Sequence, residues 1–244
     1  MRKLLVRIGC SFHKASAFLF KADHGKQEEF VAEYEQDQKK AQAEGWRRYF
    51  VDGVHPLYGL EVVFCCWLLV GQRFEVGVGG GRKRLNILGA YCPDDMEYLD
   101  RRYTDENLNA QSVIELFKLM MARHPNTKHF RIYLDNTRYQ HALVLKAWIA
   151  QTEKETVVKF DLKHLPAYSP NLNLIERLWK FLRKEALQKW HPSFEEMQRA
   201  VADVLDNLPR YRKQLETLMT ERFHLTPGVS TIIVGLGEAT KKSA

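Results

Sequence analysis

The sequence has few cysteines, few glycines and prolines, and no long apolar run. Its four cysteines include the neighbours Cys65 and Cys66, which cannot form an ordinary disulfide framework or a CxxC metal site. The 14 glycines and 8 prolines are too few for a collagen-like or low-complexity chain. The longest apolar run covers residues 62–70, whereas a membrane span needs about 20 residues. We therefore expect a folded cytoplasmic protein with no membrane partner.

Positive charge exceeds negative charge in this chain. Lysine and arginine number 37 against 30 aspartates and glutamates, which gives a formal net charge of +7. An excess of this sign favours a polyanionic partner such as a nucleic acid but does not identify one. The hydrophobic content of 45% supplies enough apolar side chains for a sizeable core.

The order of apolar patterns along the chain predicts a mixed sheet. Three β-type segments come first, at residues 46–55, 62–70 and 85–91, and their succession indicates an antiparallel meander. Helical and β-type patterns then alternate, which is typical of parallel strands joined by crossover helices. A meander followed by such alternation predicts a ribonuclease-H-like α/β fold flanked by helices. The later predicted segments are helices at 109–123, 137–151 and 172–189, strands at 129–134 and 157–165, and C-terminal helices from 193 and over 208–223.

Three acidic residues fall at the ends of predicted central elements. Asp52 ends the first strand, Asp135 directly follows the strand at 129–134, and Glu176 lies in the first turns of the helix at 172–189. The first and fourth strands of this fold are neighbours, so we expect the three carboxylates to converge. Convergent carboxylates suit hard divalent cations such as Mg²⁺, and two such ions can promote in-line phosphoryl transfer. The sequence thus predicts one metal site.

Each of these carboxylates also has a structural interpretation. Asp52 precedes Gly53, and this dipeptide is a common turn signal. Asp135 could cap the helix that follows it. Glu176 could close a capping arrangement with Asn173, three residues earlier. It is the combination of all three at element ends that favours the metal site.

Four stretches of the chain resemble the catalytic core of bacterial insertion-sequence transposases of the mariner superfamily. They are YFVDGVHP at 49–56, GRKRLNILGAY at 81–91, YLDNTRYQHA at 133–142 and HLPAYSPNLNLIERLWKFLRKEAL at 164–187. The resemblance extends over residues 4–225 and implies a DDE endonuclease whose metal-binding triad is Asp52, Asp135 and Glu176.

The same resemblance implies a cofactor, a substrate and a reaction. The cofactor would be a pair of Mg²⁺ ions, with Mn²⁺ as a substitute. The substrate would be double-stranded DNA, cut at transposon ends so that the freed 3′ hydroxyls are joined to a target. Two ends must be handled together, which implies a homodimer, associated with the nucleoid when it is bound to DNA.

The resemblance also divides the chain into parts. Residues 1–20 are interpreted as the remnant of a helix-turn-helix DNA-binding region, and residues 21–45 as a mostly solvated linker helix with a thin apolar stripe. Residues 46–190 would form the catalytic domain, followed by C-terminal helices at 191–225 and a poorly ordered tail at 226–244.

Three features depart from the family pattern. Gly53 stands where many relatives have an acidic residue, and Leu174 stands where many have a proline. Neither position belongs to the triad. Most of the helix-turn-helix region is missing, so we expect a second reading frame or a truncated copy.

Two groups of cations are candidates for contacts with the DNA backbone. One follows a glycine-rich stretch and could equally be an ordinary hairpin connection. The other shares a helix with Glu176, where the alternative is a solvated face with helix-supporting ion pairs. An apolar stripe that includes Trp179 adjoins this second group. The predicted DNA-contacting residues are Arg82, Lys83, Arg84, Lys180, Arg183 and Lys184.

Two other functions are compatible with the same sequence. A structure-specific or general nuclease would cut DNA without joining it to a target. A catalytically silent, DNA-binding remnant of a transposase would act as a regulator. Retention of all three carboxylates argues against the silent remnant.

Overall fold

The computed structural model describes residues 2–9, 21–59, 70, 73, 83–137 and 142–225. Its strands are β1 (Arg47–Val54), β2 (Asn86–Cys92), β3 (Glu97–Tyr103), β4 (His129–Leu134) and β5 (Lys159–His164). Its α-helices are α1 (Arg2–Arg7), α2 (His24–Glu44), α3 (Ala110–Arg123), α4 (Leu143–Glu155), α5 (Ile175–Leu182), α6 (Phe194–Asp206) and α7 (Arg212–Leu218). No helix within these ranges is long and apolar enough to cross a membrane.

The described strands form one mixed sheet in the order β3-β2-β1-β4-β5. Strands β1, β2 and β3 pair antiparallel, whereas β4 is parallel to both β1 and β5. Helix α3 connects β3 to β4, and α4 connects the parallel pair β4 and β5. The predicted fold class, a ribonuclease-H-like mixed sheet flanked by helices, is confirmed.

The meander contains a strand that the sequence pattern does not predict. Its second and third strands are β2 and β3, whereas the predicted strand at 62–70 falls outside the described residues apart from its last position. Strand β3 has the sequence EYLDRRY, which lacks apolar alternation, and all of its residues are half-buried. A charged strand of this kind is typical of a sheet edge, where one side is open to solvent.

Two helices begin later than predicted. Helix α4 begins at Leu143 rather than at residue 137. Helix α5 begins at Ile175 rather than at residue 172, because Pro170–Leu172 forms a 3₁₀ turn before it. A π-helical turn over Arg183–Leu187 then continues α5.

The first of the C-terminal helices begins at a capped position. Ser193 is the N-cap of α6, and its hydroxyl accepts a hydrogen bond from the backbone nitrogen of Glu196 at 3.2 Å. Helix α7 is shorter than predicted, ending at Leu218, and it follows a 3₁₀ turn over Leu208–Tyr211. The predicted tail at 226–244 lies outside the described residues.

Apolar side chains alternate between the two faces of the sheet. Phe50 and Val54 of β1 belong to a core shared with α2, α5, α6 and α7. Tyr49 and Val51 point the other way, into a second core shared with α3 and α4. We call these the first and the second core.

Helix α2 packs on the sheet through its apolar stripe. The rings of Phe30 and Tyr34 are buried, with centroids 5.8 and 5.3 Å from that of Tyr133. Asp37 on the same face accepts hydrogen bonds from Tyr133 Oη at 2.9 Å and from Arg131 Nε at 2.8 Å. The predicted thin apolar stripe thus packs in the first core, whereas most of the other α2 side chains are exposed, as expected of a mostly solvated helix.

Residues 219–225, which we call the C-terminal strap, bind across α2 and β1. Arg48 is fully buried, and its Nη1 donates a hydrogen bond to Glu221 Oε2 at 3.2 Å. The Tyr34 hydroxyl donates to the same carboxylate oxygen. The Phe223 ring packs edge-on against the Phe30 and Tyr34 rings. The strap thus closes the first core on the side of α2.

The strap is also held by side chains next to Glu176. Arg177 of α5 donates hydrogen bonds to the carbonyl oxygens of Thr220 at 2.5 Å and Arg222 at 2.6 Å. Asn171, in the turn before α5, donates to the carbonyl oxygen of His224 at 2.8 Å. The start of α5 is therefore fixed to the strap by several hydrogen bonds.

Candidate active site

The strand register places Asp52 and Asp135 side by side. Val51 of β1 pairs with Leu134 of β4, and the two aspartates are the next residue in each chain segment. Neighbouring strands lie about 4.8 Å apart, so the two backbones are close at this point. Asp52 lies on the same face as Phe50, because side chains alternate along a strand. Both aspartates therefore come from the centre of the sheet.

The structure does not support the turn and cap interpretations of the two aspartates. Asp52 lies inside β1 and pairs with Gly89 of β2, so it is not part of a turn. Helix α4 has Ala142 as its N-cap, so Asp135 does not cap it. Asp135 Oδ1 instead accepts a hydrogen bond from the backbone nitrogen of Thr137 at 3.3 Å, where the chain leaves β4.

Glu176 lies in the first turn of α5 and is not held by a capping box. The N-cap position is Leu174, which has no side chain able to accept a hydrogen bond. Asn173 does not replace it, because its Oδ1 is buried without a hydrogen-bond partner in the described structure. The side chain of Glu176 is therefore available for another role.

All three carboxylates line one cavity of about 450 Å³. Asp52, Asp135 and Glu176 come from β1, the end of β4 and the start of α5. The remaining walls are formed by residues 136–137, by residues 165–170 and by Asn173. The three positions predicted from the sequence to converge therefore lie in a common cavity.

The charges in this cavity oppose the ionisation of Asp52. Burial raises the pKa of its carboxyl group, and the nearby charges of Glu176 and Asp135 raise it further, to about 7. Hydrogen bonds from the Gly53 backbone and from the Trp179 side chain act in the opposite direction. Trp179 Nε1 donates to Asp52 Oδ2 at 3.0 Å.

Glu176 shares its end of the cavity with cations. Burial raises the pKa of its carboxyl group, and Asp135 adds to this effect. The positive charges of Arg183 and Lys180 oppose it, so both cations lie near the carboxylate. This agrees with their spacing along one face of the helix.

The donor set of the cavity fits a hard divalent cation. Besides the carboxylates, the side-chain oxygens of Asn173 and Thr137 are buried on its wall without a hydrogen-bond partner among the described residues. Within that same part of the chain, no group of three His, Cys, Asp or Glu side chains is arranged so that it could hold a metal ion as it stands. An open arrangement of oxygen donors suits Mg²⁺, which keeps several of its waters when it binds to protein.

A protein-family model for the DDE superfamily endonucleases matches residues 47–198, well over half of the chain. The chain belongs to this family. The predicted resemblance to DDE endonucleases is thereby confirmed, while the bacterial origin and the missing helix-turn-helix region stay predictions. No curated protein matches the sequence.

Solved structures of Mos1 share the fold of this DDE endonuclease. The Mos1 strand transfer complex has a TM-score of 0.60 at 13% identity, over 91% of this chain and 70% of that chain. The Mos1 mariner paired end complex with Mn has a TM-score of 0.60 at 12% identity, over 91% and 71%. The catalytic domain of Mos1 mariner transposase has a TM-score of 0.50 at 13% identity, over 80% and 86%. At such low identity the likeness establishes the fold.

The predicted DNA-contacting residues of the DDE endonuclease fall into two places. Lys180 and Lys184 are exposed on α5 and its π-helical continuation, beside the carboxylate cavity. Lys83 and Arg84 line a second cavity, where Lys83 Nζ lies 3.4 Å from Glu195 Oε1 and Arg84 donates to the side chain of Asn107. Arg82 lies outside the described residues. DNA contact by any of these residues stays a prediction.

In this DDE endonuclease, two residues that touch or shape the site cannot be recognised from the sequence pattern. The apolar stripe predicts only that Trp179 is buried, and its side chain is indeed 1% exposed. The stripe does not reveal that its N–H group reaches Asp52. Gly89 lies in one of the quoted stretches, and its position opposite Asp52 becomes visible only from the register of β1 and β2.

Proposed function

We propose that this DDE endonuclease is a transposase catalytic domain that cuts DNA at the ends of a mobile element and joins the freed 3′ hydroxyls to target DNA. Asp52, Asp135 and Glu176 would hold two Mg²⁺ ions for this reaction. One observation carries the proposal: three carboxylates from three separate elements line a single cavity. Similar structures include a strand transfer complex and a paired end complex of Mos1, the latter with Mn, which supports a reaction of this class.

Each residue of the cavity has a distinct part in this mechanism. Asp52 and Asp135, on adjacent strands, supply carboxylate oxygens from a rigid base. Glu176 supplies a third carboxylate from α5 on the opposite wall. Asp52, Asp135 and Glu176 would hold the cations, whose chemistry would be to activate the attacking water or hydroxyl group and to stabilise the leaving oxygen. The mutual repulsion that raises the pKa of Asp52 favours binding of positive charge at this place.

The cations near Glu176 suit the DNA backbone. Lys180 and Arg183 lie close enough to influence the Glu176 carboxylate, and Lys184 is exposed one position further along the chain. Phosphates that approach the carboxylate cavity would meet these side chains first. We propose that they position the backbone without reading base sequence, because phosphates carry no base information.

The decisive experiment replaces Asp135 with Asn. This change keeps the size of the side chain and removes one negative charge from the cavity. We expect Mg²⁺-dependent cleavage of terminal-repeat DNA to fall by about a hundredfold or more, which corresponds to roughly 3 kcal/mol of barrier. Asp203→Asn, an exposed change on α6 outside the cavity, is the matched control and should leave cleavage unchanged.

The products of the same assay separate the alternatives. Labelled donor and circular target DNA should give joined products in addition to cut ends. Cut ends without joined products would indicate a nuclease, and DNA binding without any cleavage would indicate a silent remnant. An Asp135→Asn variant that cleaves at the wild-type rate would contradict the catalytic role of this cavity.

A further inference from the structure

Trp179 directly links the two elements that carry Asp52 and Glu176. It lies one helical turn after Glu176 on α5, and its indole is 1% exposed. Its Nε1 donates a hydrogen bond to Asp52 Oδ2 at 3.0 Å. The helix that carries Glu176 is thus hydrogen-bonded to the Asp52 carboxylate on β1. The Tyr98 ring packs edge-on against the indole, with centroids 6.1 Å apart, and limits its movement.

Gly89 provides the space that this contact requires. It pairs with Asp52 across β1 and β2, directly beneath the indole. A Cβ atom at this position would lie 2.5 Å from Trp179 Cη2 and 2.9 Å from Trp179 Cζ2. Such distances lie well inside the usual separation of about 3.5 to 4.0 Å between carbon atoms. Any side chain here would therefore push the indole, and α5 with it, away from the sheet.

We infer that Trp179 and Gly89 form a positioning device that orients the Asp52 carboxylate and sets its separation from Glu176 for cation binding. This inference rests on the proposed metal-dependent function. Without a fixed donor, a carboxylate rotates about its terminal bond among broad orientations. The indole N–H holds Oδ2 in one direction, and each carboxylate oxygen has a second lone pair that stays available to a cation.

The device is distinct from simple packing of an apolar stripe. A phenylalanine would fill part of the same space and keep α5 in contact with the sheet, but it has no N–H group. It also lacks the outer ring atoms, Cη2 and Cζ2, that approach Gly89 most closely. Replacing Trp179 with Phe therefore removes the positioning hydrogen bond and relieves the steric demand on Gly89.

The test compares metal binding by three variants of the full chain. Binding of Mn²⁺ is measured by electron paramagnetic resonance and calorimetry, and folding by circular dichroism and thermal unfolding. We expect Trp179→Phe to bind Mn²⁺ about tenfold more weakly while it keeps a cooperative fold, because a hydrogen bond to a charged group is lost. Cleavage by this variant should need more metal and recover at saturating Mn²⁺. Trp148→Phe, in the second core, is the matched control and should bind Mn²⁺ like the wild type.

A double variant tests the part played by Gly89. Gly89→Ala alone should lower both thermal stability and Mn²⁺ affinity, because its new methyl group collides with the indole. Gly89→Ala combined with Trp179→Phe should regain part of the stability, since the colliding ring atoms are gone while Ile175 Cδ1 still lies 3.0 Å from the new methyl group, and its Mn²⁺ affinity should stay low. A stability loss that is merely additive would show that Gly89 does not act through Trp179.

The outcomes distinguish this inference from the proposed function. Wild-type Mn²⁺ affinity in Trp179→Phe would overturn the positioning device and leave the proposed function intact. A wild-type chain that binds no Mn²⁺ and cuts no DNA would overturn both.

Discussion

Asp52 lies in surroundings that disfavour its own negative charge. Burial and two neighbouring carboxylates raise its pKa to about 7, against an ordinary value of 3.8. Only two hydrogen-bond donors, at Gly53 and Trp179, favour the charged form. The folded state is thus less stable at neutral pH because of this one residue, whose charge is the one that the proposed cation binding requires.

This arrangement predicts that metal-free protein becomes less stable as the pH rises. Between the ordinary pKa of 3.8 and the folded value of about 7, the folded state keeps a proton that the unfolded state has released. The free energy of unfolding therefore falls with rising pH across this window and stays at the lower level above it, whereas Asp52 adds no further pH dependence outside the window. Asp52→Asn removes the effect, so the variant should gain about 2 to 4 kcal/mol relative to the wild type between pH 4 and pH 8.

The measurement is urea unfolding of both proteins in a chelator over that pH range. Glu176 also has a raised pKa, and its charge interacts with that of Asp52, so the difference between the two proteins reports the titration of Asp52 together with this coupling. Parallel stability curves for the two proteins would contradict the assigned environment of Asp52.

At the scale of elements, α5 connects three parts of the molecule within about one turn. Glu176 points to the carboxylate cavity, Arg177 binds the C-terminal strap, and Trp179 reaches Asp52 on β1. Residues at these spacings project in different directions from a helix axis. The position of the Glu176 carboxylate therefore depends on contacts made by its neighbours on the same helix.

Loss of the hydrogen bonds between α5 and the C-terminal strap should destabilise the packing of α5. Arg177→Ala removes hydrogen bonds to the carbonyl oxygens of Thr220 and Arg222. We expect it to lower the free energy of unfolding by about 2 kcal/mol, since hydrogen bonds from charged groups contribute about 1.5 to 3 kcal/mol and these are partly exposed. Amide hydrogen exchange in residues 219–225 should accelerate.

The matched control for this prediction is Arg199→Ala. Arg199 lies on the exposed side of α6 and pairs only with Glu196 in the described contacts, at 2.8 Å. A pair of this kind contributes about 0 to 1 kcal/mol. Equal destabilisation by the two substitutions would show that the strap does not depend on Arg177.

Helix α5 contains one feature that can be predicted from the sequence and one that cannot. The apolar spacing predicts that Trp179 is buried, because burial follows from helical periodicity. The hydrogen bond to Asp52 cannot be predicted in this way, since it depends on how closely α5 approaches the sheet, which Gly89 controls from a distant strand. Likewise the charged strand β3 escapes prediction because a sheet edge does not impose apolar alternation.

For the whole molecule, the excess of positive charge is the property on which the proposed DNA binding depends. The net charge is +7, yet several of the described cations are already engaged by carboxylates within the fold. Lys180 is exposed near Glu176, and Lys184 is exposed further along the same helix, with its Nζ 3.9 Å from Glu185 Oε1. Contacts from such residues are electrostatic and do not depend on sequence.

We therefore expect the 244-residue chain to bind DNA weakly and with little sequence preference. Affinity should lie near about 10⁻⁴ to 10⁻⁶ M at physiological salt and fall steeply as salt rises. Fluorescence anisotropy with terminal-repeat and scrambled duplexes across a salt series would measure this. A preference for the repeat of about a thousandfold that survives high salt would show that base-specific recognition lies within this chain.

The C-terminal strap also has a consequence for the timing of biosynthesis. The strands and α5 leave the ribosome before residues 219–225, so Arg48 and Arg177 emerge ahead of the groups that bind them. Until those residues follow, α5 lacks the hydrogen bonds that Arg177 donates to the strap, while its contact with β1 through Trp179 is already possible. We therefore expect nascent chains that stop before residue 219 to hold α5 and Glu176 less firmly than the 244-residue chain does.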